Sequence, residues 1–189
     1  MATKPVKAVA ELPGTALRAL EPDDLELLYE LENDPAIWGV SDTLAPVSRH
    51  ALREYLDHAT ADFHAVRQLR LVITTSLDNS AVGVVDLFEY DPLHQRAGVG
   101  ITILASQRRR GHAGQALELL KNHARDVLRL HQIYATVSAA NPSSLKLFRA
   151  AGFRRVGTRQ AWLRTAQGWQ NAVEFQCLLA LAAEGKTHN

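Results

Sequence analysis

The sequence contains only one cysteine, Cys177, among its 189 residues. A single cysteine excludes an intramolecular disulfide framework and a zinc site built from cysteines. It stands in the apolar run 175–181, where we expect a small buried side chain. The chain also lacks an apolar run long enough to span a membrane, and its first residues lack the apolar segment of a signal peptide. We therefore expect the cytoplasm as its compartment.

An excess of positive charge is missing as well. The 21 Lys and Arg residues nearly balance the 20 Asp and Glu residues, which leaves a formal net charge of +1. This balance argues against nucleic acid as a general partner. The length and the hydrophobic content of 47% suit one well-cored globular domain. We expect that domain over residues 15–181, preceded by a leader of residues 1–14 and followed by a polar tail of residues 182–189.

Hydrophobic periodicity predicts a mixed α/β fold in the order β-α-α-β-β-β-α-β-α-β-β. Residues 1–13 are expected to be loose. Capping signals place helix starts after Ser48 and Asn141, and Gly152 marks a helix end. Strands are predicted over residues 15–20, 69–75, 82–90, 97–104, 131–138, 153–163 and 169–179. Helices are predicted from residue 21 to about 33, from 48 to about 58, from 113 to about 128, and from 141 to 152.

The segment 101–116 reads ITILASQRRRGHAGQA and joins an apolar strand to a helix through a basic, glycine-containing turn. Unpaired backbone N–H groups at the helix start, together with the guanidinium groups of the turn, favour a bound phosphate. Gly111 and Gly114 lack a Cβ, so an anion can approach the main chain closely. Short turns rich in Gly and Arg are common, and the motif alone is a weak signal.

A second segment, residues 141–153, reads NPSSLKLFRAAGF. Together the two segments resemble the signatures of the GCN5-related N-acetyltransferase (GNAT) superfamily, with Arg108, Gly111 and Ala113 in the positions of its Arg/Gln-x-x-Gly-x-Gly/Ala motif. The resemblance runs from residue 17 to residue 179. Within the family, the stretches 17–25, 87–91 with 94–97, and 130–134 look most like the spermidine and diamine acetyltransferases. The ribosomal-protein N-terminal acetyltransferases share the first of these stretches.

The resemblance implies a central mixed sheet of about seven strands flanked by about four helices, and acetyl-CoA as the cosubstrate. Acetyl would pass directly from the thioester to a neutral amine. The strand backbone would hold pantetheine, the basic turn would hold the pyrophosphate, and the second segment would flank the coenzyme. The coenzyme-binding residues implied in this way are Ile101, Thr102, Ile103, Arg108, Arg109, Arg110, Gly111, His112, Ala113, Gly114, Asn141, Ser144, Phe148 and Arg149.

Two positions depart from the polyamine branch. Its general-acid tyrosine aligns with Phe148, which has no proton to donate. Its acidic pair after the first helix is reduced to Asp42 in the loop 40–46. Glu89 matches an acidic residue that lines the acceptor side in that branch, and it is our candidate general base. A solvated carboxylate at a strand end is an equally good interpretation of Glu89.

Three functions stay open at this point. The first is acetylation of a small amine, either a diamine or a polyamine; the missing acidic pair weakens it. The second is acetylation of protein α-amines. The third is a coenzyme-A-binding protein without catalysis, which the missing tyrosine favours. We expect a small-molecule amine as the partner, no metal, no nucleic acid, no membrane, and a homo-oligomer as the assembly.

Overall fold

The computed structural model describes residues 8–12, 14–35, 45–58, 62–165 and 168–179. These residues form eight strands and five α-helices, with single 3-10 turns at Pro22–Asp24 and Ala105–Gln107. The strands are β1 (Ala8–Leu12), β2 (Thr15–Ala19), β3 (Leu69–Thr74), β4 (Ala81–Asp91), β5 (Arg96–Ile103), β6 (Gln132–Ser138), β7 (Arg154–Thr165) and β8 (Gly168–Leu178). The helices are α1 (Leu25–Glu32), α2 (Arg49–Asp57), α3 (Phe63–Val66), α4 (His112–Asp126) and α5 (Pro142–Ala150).

The mixed α/β prediction is confirmed, and each predicted strand and helix is present within a few residues of its expected bounds. The expectation that residues 1–13 are loose is wrong for residues 8–12, which form β1 on the edge of the sheet. Backbone hydrogen bonds to β2 and the packing of Ala10 on the core hold this strand. Five residues are too few to show a clear hydrophobic alternation, so the sequence did not indicate the strand. The single turn α3, with buried Phe63, was missed for the same reason. Residues 36–44, including Asp42, lie outside the described residues.

All eight strands belong to one sheet in the order β1-β2-β3-β4-β5-β6-β8-β7. Neighbouring strands are antiparallel except β5 and β6, which are parallel. Pairing between β5 and β6 covers only Arg96–Gly98 against Gln132–Tyr134. Both strands continue beyond this point, so a cleft opens in the middle of the sheet.

Helices cover both faces of the sheet, because successive side chains of β3 pack alternately against helices on opposite faces. Leu71 and Ile73 point into the larger apolar cluster with α4, whereas Val72 points into a smaller cluster with α1 and α2. Leu117 and Leu120 of α4 are fully buried in the larger cluster. Burying each such side chain contributes about 1.5–3 kcal/mol relative to its exposure. None of the helices in the described part of the chain is long and apolar enough to cross a membrane.

The predicted caps fix the helix that borders the cleft. The side-chain oxygen of Asn141 accepts a 3.0 Å hydrogen bond from the backbone N–H of Ser144, and Pro142 occupies the first turn. Gly152, with φ of +85°, follows the C-terminal end of α5 in the left-handed conformation. Such an N-cap contributes about 1 kcal/mol of helix stability. The start of α5 is thereby held at the end of β6, next to the cleft.

Candidate active site

The cleft between β5 and β6 exposes backbone groups of β5. The N–H of Leu104 donates to the carbonyl oxygen of Val82 on β4. In an antiparallel ladder alternate residues bond to the neighbouring strand, so Ile101 and Ile103 direct their N–H and C=O groups away from β4. Those groups face the cleft, where β6 no longer pairs with β5. A ligand lying along the cleft can therefore bond to them.

A cavity of about 860 Å³ lies between the cleft, the basic turn and α5; we call it the turn cavity. Eleven of the predicted coenzyme-binding residues line it, and they come from β5, the turn, the start of α4 and the start of α5. These residues are Ile101, Thr102, Ile103, Arg108, Arg109, Gly111, His112, Ala113, Gly114, Asn141 and Ser144. The structure thus brings together two segments that lie about thirty residues apart in the sequence.

The basic turn presents backbone N–H groups to this cavity. Gly111 precedes α4 with φ of +91°, a conformation that favours glycine, and Arg109 is also left-handed with φ of +65°. A Cβ added at Gly111 or Gly114 would meet nothing within 4 Å, so the space beside both glycines is open. The N–H of Gly114 donates to the carbonyl oxygen of Gly111, whereas the N–H groups of His112 and Ala113 lie too early in α4 for a bond within the helix. This geometry fits a phosphate group.

The base of the turn is anchored to β2. The hydroxyl of fully buried Thr15 donates a 2.5 Å hydrogen bond to Oε1 of Gln115 and lies 3.0 Å from Nδ1 of His112. His112 and Gln115 both belong to the first turn of α4. The contacts hold the start of α4 against the sheet, which fixes the N–H groups that face the turn cavity.

Four of the predicted side chains are placed otherwise than expected. Arg108 lines the turn cavity, but its guanidinium donates to the carbonyl oxygen of Ile103 at 3.0 Å and to Asp34 at 3.3 Å. Arg110 and Arg149 are exposed. Neither belongs to the described residues that line the turn cavity. Phe148 is buried and lines a different cavity. The coenzyme role of these last three remains a prediction.

The turn cavity is also lined by four residues that the sequence analysis did not predict. They are Gln107, Ser143, Lys146 and Leu147. Three of them lie on α5 with the spacing of one helix face. Counting three and four residues on from Ser143 would have found Lys146 and Leu147. Lys146 adds a cation to the wall opposite the basic turn.

A second cavity of about 640 Å³ lies on the other face of the sheet, toward α1; we call it the carboxylate cavity. Its walls come from the end of α1, from β3 to β6, from α5 and from Leu163 of β7. It shares four lining residues with the turn cavity, and these are Ile101, Thr102, Asn141 and Ser144. The two cavities therefore meet at the cleft, with the exposed strand backbone between them.

The wall of the carboxylate cavity contains an ion triad, formed by Glu32 of α1, Arg70 of β3 and Asp86 of β4. Nε of Arg70 lies 2.5 Å from Oδ1 of Asp86, and its Nη1 lies 2.8 Å from Oε1 of Glu32. The ring of Tyr55 lies beneath the guanidinium, 5.5 Å away. Burial raises the pKa of Asp86, and the positive charge of Arg70 opposes that rise. Two carboxylates and one guanidinium leave one net negative charge here when all three are ionised.

Two phenylalanines give this cavity apolar walls. The ring of Phe88 lies against β5 so closely that a Cβ added at Gly98 would collide with it, and only glycine fits there. Phe148 packs edge-on against Phe153, with ring centroids 5.0 Å apart. Ser144 stands one helical turn before Phe148 on the same face of α5 and lines both cavities.

Glu89, the predicted base, occupies a bulge in β4 between Phe88 and Asp91, with φ of +51°. Its Oε2 accepts a 2.7 Å hydrogen bond from the hydroxyl of Tyr134 on β6. Burial and this hydrogen bond raise the pKa of Tyr134 to about 12. Glu89 is exposed and, among the described residues, does not contribute to the lining of either cavity. The preceding residue, Phe88, does line the carboxylate cavity, so we call the position of Glu89 the rim of that cavity.

Comparison with known proteins adds to this geometry. Residues 15–154 match the family model described as acetyltransferase (GNAT) domain. The chain belongs to the GNAT family. Its cosubstrate is therefore acetyl-CoA, and it is an N-acetyltransferase. The turn cavity is where the family resemblance placed the coenzyme, and its open glycines and cations fit that group.

Similar proteins include spermidine acetyltransferases of two bacteria. Spermidine N(1)-acetyltransferase of Escherichia coli K12 is 28% identical over 140 residues, which cover 72% of this chain and 71% of the relative. The spermidine N(1)-acetyltransferase of Vibrio cholerae is 29% identical over 142 residues, covering 75% and 79%. The crystal structure of a Vibrio cholerae spermidine N-acetyltransferase in complex with CoA and spermine is similar at a TM-score of 0.78 and 26% identity, covering 88% of this chain and 96% of that one.

Proposed function

We propose that this GNAT enzyme transfers acetyl from acetyl-CoA to a primary amine of a small diamine or polyamine. The observation that carries the proposal is the net negative ion triad in a cavity that meets the turn cavity at Ile101 and Thr102. A diamine is cationic at physiological pH, and this net negative charge complements it. The spermidine N-acetyltransferases among the relatives support the same acceptor class.

The cleft supplies electrostatic stabilisation for the transfer. Attack of an amine on the thioester carbonyl places negative charge on its oxygen. A backbone N–H of Ile101 or Ile103, held in the strand and facing the cleft, can donate to that oxygen. Removal of one such donor in other enzymes costs about 2.7–4 kcal/mol of transition-state stabilisation. These donors need no side chain, so their role depends on the strand geometry alone.

The absence of a phenol at Phe148 still allows the leaving group to depart. A thiol has a pKa of about 8.5, so coenzyme A can leave as the thiolate and take a proton from water. Deprotonation of the acceptor is the larger demand. A primary amine with a pKa of about 10.4 is neutral in only about one molecule in a thousand at physiological pH. The reaction therefore needs a general base in the carboxylate cavity or at its rim, where Glu89 is the sequence-based candidate.

We also propose a homo-oligomer as the assembly. A similar Vibrio cholerae spermidine N-acetyltransferase, with a TM-score of 0.73 and 25% identity, has a dodecameric structure. In this chain the hairpin of β7 and β8 leaves Trp162 and Trp169 exposed. Aromatic side chains are enriched in interfaces, and light scattering of the purified protein gives the mass of the assembly.

The proposed activity is tested by the release of coenzyme A thiol with a panel of acceptors. The panel contains 1,4-diaminobutane, spermidine, butylamine, and a peptide with a free N-terminus, with acetyl-CoA in each reaction. We expect release with the diamine or the triamine well above that with butylamine. Release with the peptide alone would assign the enzyme to protein α-amines. Silence with the whole panel, while coenzyme A still binds, would favour a coenzyme-binding protein without catalysis.

A further inference from the structure

We infer that Asp86 is the general base that takes a proton from the acceptor amine, and that Arg70 positions it. This inference rests on the proposed transfer of acetyl to an amine. It names the group that performs the most demanding proton transfer of that reaction, and it places this group inside the carboxylate cavity rather than at the rim.

One oxygen of Asp86 is fixed and the other is available. Oδ1 accepts the hydrogen bond from Nε of Arg70. Oδ2 has no hydrogen-bond donor among the residues that the structure describes, although Asp86 is only 8% exposed. A buried carboxylate oxygen without a donor is unusual, because buried polar atoms are almost always paired. The open position fits a ligand group that donates a proton.

Oδ2 also points at the strand where transfer takes place. Asp86 on β4 is paired with Gly100 on β5, and a Cβ added at Gly100 would lie 3.7 Å from Oδ2. Because glycine leaves that space empty, the carboxylate borders the cavity beside the residue that precedes Ile101. An amine nitrogen between Oδ2 and the cleft would lie close to both the base and the thioester.

The charges around Asp86 suit a base. Burial favours its protonated form, the carboxylate of Glu32 adds to that effect, and Arg70 opposes it. Arg70 comes from β3, Glu32 from the end of α1, and Tyr55, whose ring lies under Arg70, from α2. A carboxylate with a raised pKa accepts a proton from an ammonium group more readily than an ordinary one.

The proton transfer is balanced as follows. The acceptor ammonium gives one proton to Oδ2 of Asp86, which leaves a neutral amine with a free electron pair. The nitrogen attacks the thioester carbonyl carbon, a C–N bond forms, and the C–S bond breaks with its electrons on sulfur. The nitrogen then loses its second proton to the thiolate through water, and Asp86 returns its proton to solvent. The products are an N-acetylated amine and coenzyme A.

Glu89 is less suited to this role by its geometry. It is exposed at the rim, and its Oε2 already accepts a hydrogen bond from Tyr134. The comparison of the two residues therefore makes a matched pair of variants, Asp86→Asn and Glu89→Gln, each of which replaces a carboxylate by an amide.

The test measures kcat at saturating diamine between about pH 6 and 10, together with the Kd of coenzyme A for each variant. We expect Asp86→Asn to lower kcat by about 100-fold or more and to remove the acidic limb of its pH profile, with coenzyme binding retained. The loss of kcat in Glu89→Gln should be much smaller, and the acidic limb should stay in place. A folded Asp86→Asn variant with near-normal kcat would overturn the inference, and an altered pH profile in Glu89→Gln would move the base to the rim.

A second pair of variants tests Asp86 without removing it. Arg70→Gln removes the positive charge that opposes protonation of Asp86, so the acidic limb of the pH profile of kcat should move to higher pH. Glu32→Gln removes a charge that favours protonation, so the limb should move to lower pH. A merely structural Asp86 would leave the limb in place in both variants. Wild-type enzyme that acetylates no amine in the panel would instead contradict the proposed function itself.

Discussion

The hydroxyl of Tyr134 donates a 2.7 Å hydrogen bond to Glu89 across the junction between β6 and the bulge of β4. Tyr134 shares its face of β6 with Thr136 and Ser138, which line the carboxylate cavity. The pair therefore places a negative charge at the entrance of that cavity without placing it inside. Because the pKa of Tyr134 is raised to about 12, the phenol stays neutral and keeps donating throughout the physiological range.

Glu89 at this entrance should affect binding more than chemistry. We expect Glu89→Gln to raise the KM for spermidine by about two- to fivefold, since exposed charge pairs contribute about 0.2–1 kcal/mol. Tyr134→Phe removes the hydrogen bond but leaves the charge, and it should change KM less. Initial rates with varied spermidine at low and high salt measure both effects. An effect of Glu89→Gln that persists unchanged in high salt would contradict a screened, exposed charge.

The net charge of the ion triad should set how strongly a second ammonium group is bound. Glu32→Gln reduces that charge to zero while the pair of Arg70 and Asp86 stays intact. We expect the KM for 1,4-diaminobutane to rise by about five- to tenfold, with little change for butylamine. Glu26→Gln is the matched control, because Glu26 lies on the same helix and pairs with Arg49 at the surface. Equal effects of both variants would show a general charge effect instead.

Two neighbouring arginines of the basic turn should differ in their effect on the coenzyme. Arg109 lines the turn cavity, whereas Arg110 is exposed outside that lining. We expect Arg109→Ala to weaken coenzyme A binding by about five- to tenfold, as for a charge-assisted contact to phosphate. Arg110→Ala should change the Kd by less than about twofold. Calorimetric titration at two salt concentrations measures both values, and a reversed order would contradict this placement of the turn.

A phenol introduced at Phe148 should supply the proton that the leaving thiolate otherwise takes from water. We expect Phe148→Tyr to raise kcat by about tenfold or more below the thiol pKa of about 8.5, with little effect above it. Phe153→Tyr is the control, because Phe153 packs against Phe148 but, among the described residues, does not line the carboxylate cavity. That variant should lower the melting temperature, since it buries a hydroxyl, without any gain in rate.

The fold was largely predictable because strong periodicity and caps mark its central elements. Asn141, Pro142 and Gly152 bound α5 as expected, and the alternation of β5 and the helical spacing of α4 locate the basic turn. The strand β1 and the single turn α3 were missed, because their stability comes from contacts made elsewhere in the chain. The local sequence does not show that β1 pairs with β2 or that the ring of Phe63 is buried.

The lining of the turn cavity was largely predictable for the same reason, since two contiguous segments supply most of it. The carboxylate cavity was not. Glu32, Arg70 and Asp86 come from three elements that lie 38 and 16 residues apart in sequence, and only the strand register brings them together. Asp86 accepts a hydrogen bond from Arg70 through one carboxylate oxygen. Its second oxygen faces Gly100 of the neighbouring strand, and only the register of β4 with β5 determines that relation.

In the proposed reaction, acetyl-CoA lies in the turn cavity and the amine lies in the carboxylate cavity. The two would meet at Ile101 and Thr102, where the gap between β5 and β6 joins the cavities. Neither substrate has to leave before the other enters, so both can be held at the same time. Steady-state rates with both concentrations varied should therefore give intersecting double-reciprocal lines, whereas a covalent acetyl-enzyme would give parallel ones. Mass spectrometry after mixing with acetyl-CoA alone should find the protein at its unmodified mass.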